Sequence, residues 1–201
     1  MTASSIGITF KELMSGAFAL GETDPETGAA KGADSVLSMH GTVTIDDIDA
    51  FIEDPEHGGT LDVVMDWPPL GSALPAPGGV FNLFSPSGDP SLKLMVYEWG
   101  LDHEGKSYYF AGHKNVAVHP VTKLWPDTTT LYTQLHEGKD KTGPVVGAGI
   151  ITLSVEQLVN MGRQFKPLNA PSTQAGLAAI ERFGSFFLGE LWDTYVKKTG
   201  A

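Results

Sequence analysis

The sequence predicts a mainly β fold: an antiparallel β-barrel or sandwich of about eight strands, lipocalin-like in arrangement, followed by two C-terminal helices. Three observations predict it. Residues 1–153 carry short segments of alternating polarity between turns rich in Gly and Pro, residues 154–201 carry helical periodicity, and the strands are not spaced as strand–helix–strand units. With 201 residues, 41% of them hydrophobic, the chain is expected to form one globular domain on which the C-terminal helices pack.

The strand signal is clearest in residues 35–45. Leu37, Met39 and Val43 alternate there with polar residues, which is the period of a strand with one face in water. Further strands are predicted at residues 6–20, 60–67, 80–84, 92–101, 107–118, 129–137 and 145–153. The proline-rich stretch 71–79 is predicted to be a loop, either a lid over a cavity or a rigid surface loop.

Both faces of the strand at residues 92–101 are apolar. Leu92 and Leu94 lie on one face, whereas Tyr97 and Trp99 lie on the other. A strand of this kind is expected to be covered twice, by the barrel interior and by a helix or a partner.

The C-terminal segment is predicted to supply that cover. A helix is expected from about residue 173, with Leu177, Phe183 and Phe187 on one broad apolar stripe. Phe186 falls opposite the stripe, where either a second surface covers it, such as a subunit contact, or it is an exposed aromatic side chain. A homo-oligomer formed through the C-terminal helix is therefore one hypothesis. A shorter helix is predicted at residues 154–165, where Ser154 and Gln157 have the spacing of a capping box.

Composition excludes several classes of function. The 13 Lys and Arg against 24 Asp and Glu give a net charge of −11, which repels phosphate backbones, so no nucleic-acid partner is expected. The absence of Cys excludes disulfides and thiol catalysis. The first thirty residues contain no cationic segment followed by an apolar core, and no apolar run approaches about 18 residues. We therefore expect a water-soluble, cytoplasmic protein without an integral membrane segment.

The sequence predicts neither a cofactor nor a metal. No G-x-G-x-x-G or G-x-x-x-x-G-K-[ST] motif opens a helix, so no nucleotide cofactor is expected. The six histidines form no H-x-H, H-x₃-H or H-E-x-x-H pair, so no metal site is expected. No serine lies in the G-x-S-x-G context of an α/β-hydrolase.

A candidate site can be built from polar and aromatic strand residues. Tyr132, Gln134 and His136 share one face of the strand at residues 129–137. If that face lines a barrel, these side chains form a hydrogen-bonding lumen with residues from neighbouring strands. The predicted ligand-binding residues are His40, Tyr97, Trp99, Tyr109, His113, Tyr132 and Gln134.

The same lumen could serve an enzyme. His136 would then be the general base, since imidazole titrates near neutrality, with Tyr132 or Tyr97 as the acid or the oxyanion donor. The alternative for the strand at residues 129–137 is the ordinary wet outer face of an antiparallel sheet.

Residues 124–138, with the sequence LWPDTTTLYTQLHEG, carry a family resemblance together with stretches 8–16, 68–71, 79–84 and 183–195. They resemble an accessory β-domain of bacterial proteins that contain glucose-methanol-choline (GMC) oxidoreductase modules of the cholesterol-oxidase type. The resemblance implies a module beside sterol- or lipid-handling enzymes, with an oxidoreductase as partner. Flavin chemistry would belong to the neighbouring module. The chain is either a free-standing subunit or one domain of a longer protein.

Three functions follow as hypotheses. The first is a barrel that binds a hydrophobic small molecule, lipid or sterol-like, in association with a GMC-type oxidoreductase. The second is a cofactor-independent barrel enzyme, an isomerase, cyclase or hydrolase, with His136 as its base. The third is a self-assembling structural protein.

Overall fold

The fold is a closed antiparallel β-barrel of eight strands. A computed structural model describes residues 5–117, 124–154, 156–157 and 164–197. Each strand from β1 to β8 pairs with the next along the chain, and β8 pairs back onto β1, which closes the barrel. Closure gives each of these strands a partner on both sides over at least part of its length. The prediction of an antiparallel barrel of about eight strands with a C-terminal helical region is confirmed.

The described residues form nine strands and four α-helices. The strands are β1 (Gly7–Leu20), β2 (Val36–Ile45), β3 (Gly58–Trp67), β4 (Gly71–Pro86), β5 (Leu92–His103), β6 (Lys106–Ala117), β7 (Thr130–Glu137), β8 (Val145–Thr152) and a short β9 (Lys166–Leu168). The α-helices of the described residues are α1 (Pro25–Lys31), α2 (Ile48–Glu53), α3 (Leu124–Thr129) and α4 (Thr173–Trp192), and a π-helical turn, Asp193–Lys197, follows α4. The sequence did not predict β9, which pairs with the start of β1.

Strand β4 corrects the prediction for residues 71–79, which are neither a lid nor a surface loop. They form the first half of β4 and pair with β3, with Pro75 opposite Val64 and Ala76 opposite Val63. The pairing of β4 with β5 begins only at Val80. The prolines therefore occupy a stretch whose second side lacks a strand ladder, where a missing N–H is tolerated.

The barrel interior is filled at one end by aromatic rings. Phe18 packs edge-on against Trp67 with ring centroids 5.0 Å apart, and Trp99 stacks on Phe110 with centroids 4.9 Å apart. All four side chains are fully buried. This end is a packed core, so a binding site within the barrel lies toward the other end.

Helix α4 packs across that other end. Ser172 caps it by accepting a hydrogen bond from the Ala175 N–H, which confirms the predicted start at residue 173. Phe183 is buried against Phe10 and Phe51, with centroid distances of 5.9 and 6.1 Å. Helix α4 is therefore anchored on the barrel by an aromatic side chain of its predicted apolar stripe.

Phe186 has partners within the chain. Its ring lies 4.7 Å from the His57 ring and 5.8 Å from the Phe51 ring. Of the two sequence alternatives for Phe186, cover by a second surface is confirmed, and that surface belongs to α2 and the turn after it in the same chain. Leu177, assigned to the buried stripe, is instead 63% exposed.

The shorter C-terminal helix predicted at residues 154–165 falls mostly outside the described residues. Its capping box is formed: the Ser154 N–H donates to Gln157 Oε1, and the Gln157 N–H donates to Ser154 Oγ. Residues 156–157 are helical, and Phe165 is not. Among the helices that the structure describes, none has the length and apolarity needed to cross a membrane.

Candidate functional site

A cavity of about 480 Å³ lies between the barrel interior and helix α4. Its size is within the usual range for sites that bind small molecules. Strands β1, β4, β5 and β6 contribute one wall, and α4 contributes the opposite wall. The lining residues are Phe10, Glu12, Phe81, Leu83, Met95, Tyr97, Lys114, Leu124, Thr128, Leu153, Phe165, Ile180, Phe183, Gly184, Phe187, Leu188 and Leu191. Only four of these seventeen are polar, so the cavity suits an apolar molecule.

A bulge in β4 shapes one wall. The pairing of β4 with β5 shifts register between Asn82 and Ser85, and Phe84 within the bulge has a positive φ of 57°. The bulge leaves Leu83 in the cavity wall while Phe84 packs under α4, with its ring 5.5 Å from that of Phe187. A positive φ is costly for a bulky residue, so the packing around Phe84 must maintain it.

Three buried polar side chains form a chain in the cavity wall. The Tyr97 hydroxyl donates to Glu12 Oε1 at 3.3 Å, and Lys114 Nζ donates to the Tyr97 oxygen at 3.2 Å. Lys114 also lies over the Tyr97 ring, 4.6 Å from its centroid. Each of the three side chains is less than a tenth exposed. A carboxylate and an ammonium are thus held together in an otherwise apolar cavity.

Burial sets the protonation chemistry of this group. Desolvation lowers the pKa of Lys114, and the nearby Glu12 carboxylate opposes that change. Desolvation, with the Glu12 charge second, raises the pKa of Tyr97 well above its usual value of 10.0. The Tyr97 hydroxyl therefore keeps its proton and remains a donor to Glu12.

One oxygen of Glu12 has no hydrogen-bond partner. Glu12 Oε2 is buried and unpartnered, as are Trp99 Nε1 and Thr133 Oγ1 among the described residues. The latter two residues do not line the cavity, whereas Glu12 does. A buried carboxylate oxygen without a donor is costly, so Glu12 contributes an unsatisfied acceptor to the cavity wall.

An outer group of the same residue types gives a direct comparison. Glu98 lies on the outer face of β5, where Oε2 accepts from the Tyr109 hydroxyl at 2.6 Å and Oε1 accepts from Lys141 Nζ at 2.8 Å. Both of its oxygens are satisfied. The inner group of Glu12, Tyr97 and Lys114 differs in leaving one carboxylate oxygen free.

The rim of the cavity is formed by α4. Leu188 lines the cavity and is 66% exposed, and a Cβ added to Gly184 would meet no atom within 4 Å. Two ion pairs hold the helix over the opening: Lys93 on β5 pairs with Glu190, and Arg182 Nε lies 3.1 Å from Asp49 Oδ1 on α2. Gly184 of α4 therefore borders open space at the cavity.

Of the ligand-binding residues predicted from sequence, only Tyr97 lines this cavity. Trp99 also points inward but belongs to the packed aromatic end. Tyr97 and Trp99 are successive inward positions of β5. Trp99 pairs with Phe110, which packs against Trp67, so Trp99 belongs to the filled end of the barrel and not to the cavity.

The prediction that Tyr132, Gln134 and His136 line a lumen is wrong. Leu131, Thr133 and Leu135 of β7 are fully buried in the barrel, so Tyr132 and Gln134 face outward and are half-buried, while His136 on the same side of the strand is buried outside the barrel interior. Gln134 Nε2 donates to the Thr23 carbonyl at 2.7 Å, and His136 Nδ1 lies 2.9 Å from the Gly143 carbonyl. The convergence of His136, Tyr132 and Tyr97 in one cavity, which the enzyme hypothesis needs, is not found.

The remaining predicted site residues also lie on the outer face. His40 Nε2 is 3.3 Å from Asp66 Oδ2 in an exposed pair. Tyr109 bonds Glu98, and His113 stacks on Tyr132 with ring centroids 6.1 Å apart. Partial burial lowers the pKa of His113. These residues belong to several separate surface contacts and do not form a common site.

Sequence reasoning missed Glu12 and Lys114. A signal for both was present: Glu12 has the same strand phase as Phe10 and Met14, and Lys114 has the phase of Phe110. A charged residue on the apolar phase of a strand is unusual, because Lys and Glu are rarely buried unless they are paired.

Fold and cavity together define the chain as a closed up-and-down β-barrel with an apolar cavity at one end. Comparison with protein-family models, with curated proteins and with solved structures gave no significant match. Among the described residues, no three His, Asp or Glu side chains are grouped so that they could hold a metal ion.

Proposed function

We propose that this protein is a ligand-binding barrel for a hydrophobic, lipid-like or sterol-like molecule. The observation that carries the proposal is the cavity of about 480 Å³ under α4, lined by thirteen apolar residues and four polar ones. A concave, mostly apolar site with a few placed polar groups is typical of small-molecule binding. The packing of the barrel interior supports it, because the buried rings of Phe18, Trp67, Trp99 and Phe110 fill only one end and none of them lines the cavity.

The proposal includes a setting for the barrel. The resemblance to an accessory domain of GMC-type proteins supports a cytoplasmic bacterial module that presents its ligand to an oxidoreductase of the cholesterol-oxidase type. A purified oxidase of that type should oxidise a barrel-bound sterol faster than the same sterol dispersed in buffer. Equal rates would count against the partnership and would leave ligand binding unaffected.

Ligand binding itself is tested with a lipid and sterol extract. We expect native mass spectrometry of the incubated protein to show a bound molecule, and its melting temperature to rise, because a ligand that binds only the folded state stabilises it. If no ligand is retained and no component shifts the melting temperature, the proposal is wrong.

A substitution that fills the cavity tests whether the ligand binds there. Gly184→Leu places a side chain into the open space at the cavity, and we expect it to weaken binding of the neutral dye Nile red by about tenfold or more, since a leucine occupies ligand volume. Fluorescence titration measures the affinity.

Gly189→Leu is the matched control. Gly189 lies in the same helix, and a Cβ there also meets no atom within 4 Å, but the residue does not line the cavity. We expect the control to bind Nile red as the wild-type chain does. Both variants should be at least as stable as wild type, because leucine favours a helix more than glycine by up to about 1 kcal/mol. Equal loss in the two variants would place the dye elsewhere.

A further inference from the structure

We propose that the cavity selects apolar molecules that carry a hydroxyl group, and that Glu12 and Lys114 bind this hydroxyl together. The inference deepens the proposed function and rests on it. It starts from the unpartnered Glu12 Oε2, which is buried in the cavity wall and requires a hydrogen-bond donor.

Lys114 offers hydrogen-bond donors that a ligand could use. An ammonium has three donors, and the described hydrogen bonds of Lys114 use one, to the Tyr97 oxygen. The group at the cavity wall therefore offers an acceptor on Glu12 and further donors on Lys114, linked through one tyrosine. A hydroxyl is the simplest head group that both donates and accepts, so it satisfies the two residues at once.

Other head groups match less well. A carboxylate accepts from Lys114 but faces the Glu12 carboxylate with a like charge and gives it no proton. An amine donates to Glu12 but places a second cation beside Lys114. A pure hydrocarbon leaves Oε2 unsatisfied. The outer group of Glu98, Tyr109 and Lys141 shows the complete arrangement, in which both carboxylate oxygens accept a hydrogen bond.

Three probes of equal chain length test the selection: dodecanol, dodecanoic acid and dodecane, each competing with Nile red for the wild-type protein. Because a hydrogen bond to a charged group is worth about 1.5–3 kcal/mol, we expect dodecanol to bind about tenfold to a hundredfold more tightly than dodecane. Dodecanol should also bind more tightly than dodecanoic acid.

Glu12→Gln then changes the preference. The variant removes the negative charge and leaves Lys114 as the buried cation, so dodecanoic acid should become the tightest of the three probes. Glu98→Gln, which alters the outer group, should keep the wild-type order. The order in the wild-type chain needs no variant, so a Glu12→Gln chain that fails to fold leaves the test intact.

The outcomes separate the two proposals. Equal affinities for the three probes would overturn the hydroxyl selection and keep the apolar cavity. Tighter binding of the acid than of the alcohol to wild type would also overturn it. Failure of Nile red and of all three probes to bind would overturn the proposed function and the selection with it.

Discussion

At the scale of single residues, the most unusual feature is the buried pair of Glu12 and Lys114. The pair is joined through the Tyr97 hydroxyl and lies in apolar surroundings. Burying one charge alone is costly, whereas burying two together costs less, because each compensates for part of the other's lost hydration. The two residues should therefore depend on each other for stability.

A double-mutant cycle tests this dependence. Glu12→Gln and Lys114→Met should each lower the free energy of unfolding by about 3 kcal/mol, because each leaves one charge buried without its partner. The double variant should lose less than the sum, by about 1–3 kcal/mol. Urea unfolding followed by tryptophan fluorescence measures all four chains.

The outer pair provides the control cycle. Lys141 is 63% exposed, so its coupling to Glu98 should stay below about 1 kcal/mol. Strict additivity in the inner cycle would mean that Glu12 and Lys114 do not stabilise each other.

The alternation of polarity predicted which face of each strand is buried, but only where the apolar residues are consistent. In β2 the expected apolar face is buried. In β5 the face of Tyr97 and Trp99 is buried, whereas Leu92 and Leu94 on the other face, which was expected to be covered as well, are only partly buried. In β7 the outward face carries Tyr132, Gln134 and His136, which were predicted to form a site, and the small Thr133 faces the barrel interior. The residue types of β7 suggested a reactive site, but which face of the strand is buried depends on how the barrel closes. Closure is set by strands far apart in sequence, so the local pattern could not show it. Glu12 and Lys114 meet for the same reason, from strands far apart in sequence.

At the scale of elements, most strands and helix α4 could be predicted, whereas the first half of β4 and β9 could not. Prolines at 75 and 77 argue against a strand locally, and only the absence of a β5 ladder there makes them acceptable. Strand β9 has three residues, too few for any periodicity. Whether these two segments form strands depends on which other strands lie beside them, and the local sequence does not contain that information.

Helix α1 is held against β8 by a close backbone approach. A Cβ at Gly28 would lie 2.0 Å from the Ala148 carbonyl oxygen, which the backbone cannot accommodate without a shift. Gly28→Ala should therefore lower the free energy of unfolding by about 1–3 kcal/mol. Urea unfolding measures it.

The control substitution for α1 is Gly189→Ala in α4. A Cβ at Gly189 meets no atom within 4 Å, so this change should stabilise the chain by up to about 1 kcal/mol through helix propensity. If Gly28→Ala proves as stable as wild type, α1 can move off β8 without cost, and the contact does not fix the helix.

At the scale of the whole molecule, three tyrosines hold separate parts of the structure through carboxylates. Tyr97 donates to Glu12 inside the barrel, Tyr109 donates to Glu98 on the outer face, and Tyr195 donates to Asp127 between the C-terminal π turn and α3. Burial, and then the neighbouring carboxylate, raises the pKa of each phenol above 10.0.

These raised pKa values predict a loss of stability in alkali. The unfolded chain releases the three phenolic protons near pH 10, while the folded chain retains them, so the folded state binds more protons above that pH. The stabilisation is complete below about pH 10 and is lost as the pH rises through the folded pKa values, at about 1.4 kcal/mol per pH unit for each tyrosine. Lys114 acts oppositely below its unfolded pKa of 10.5, because its pKa is lowered by burial. The decline should therefore be clearest above about pH 10.5.

Urea unfolding across the alkaline range, with tyrosinate absorbance recorded in parallel, measures both the stability and the protons. Tyr109→Phe should reduce the slope by one proton and leave the barrel core untouched, since its hydroxyl bonds Glu98 on the outer face. Tyr97→Phe removes an equivalent proton from the cavity wall and should also reduce the slope by one proton. It also removes the hydrogen bond that the Tyr97 hydroxyl donates to Glu12. If all five tyrosines of the folded chain ionise together near pH 10, the carboxylates do not hold these phenols protonated. The three contacts would then not contribute to the alkaline stability of the fold.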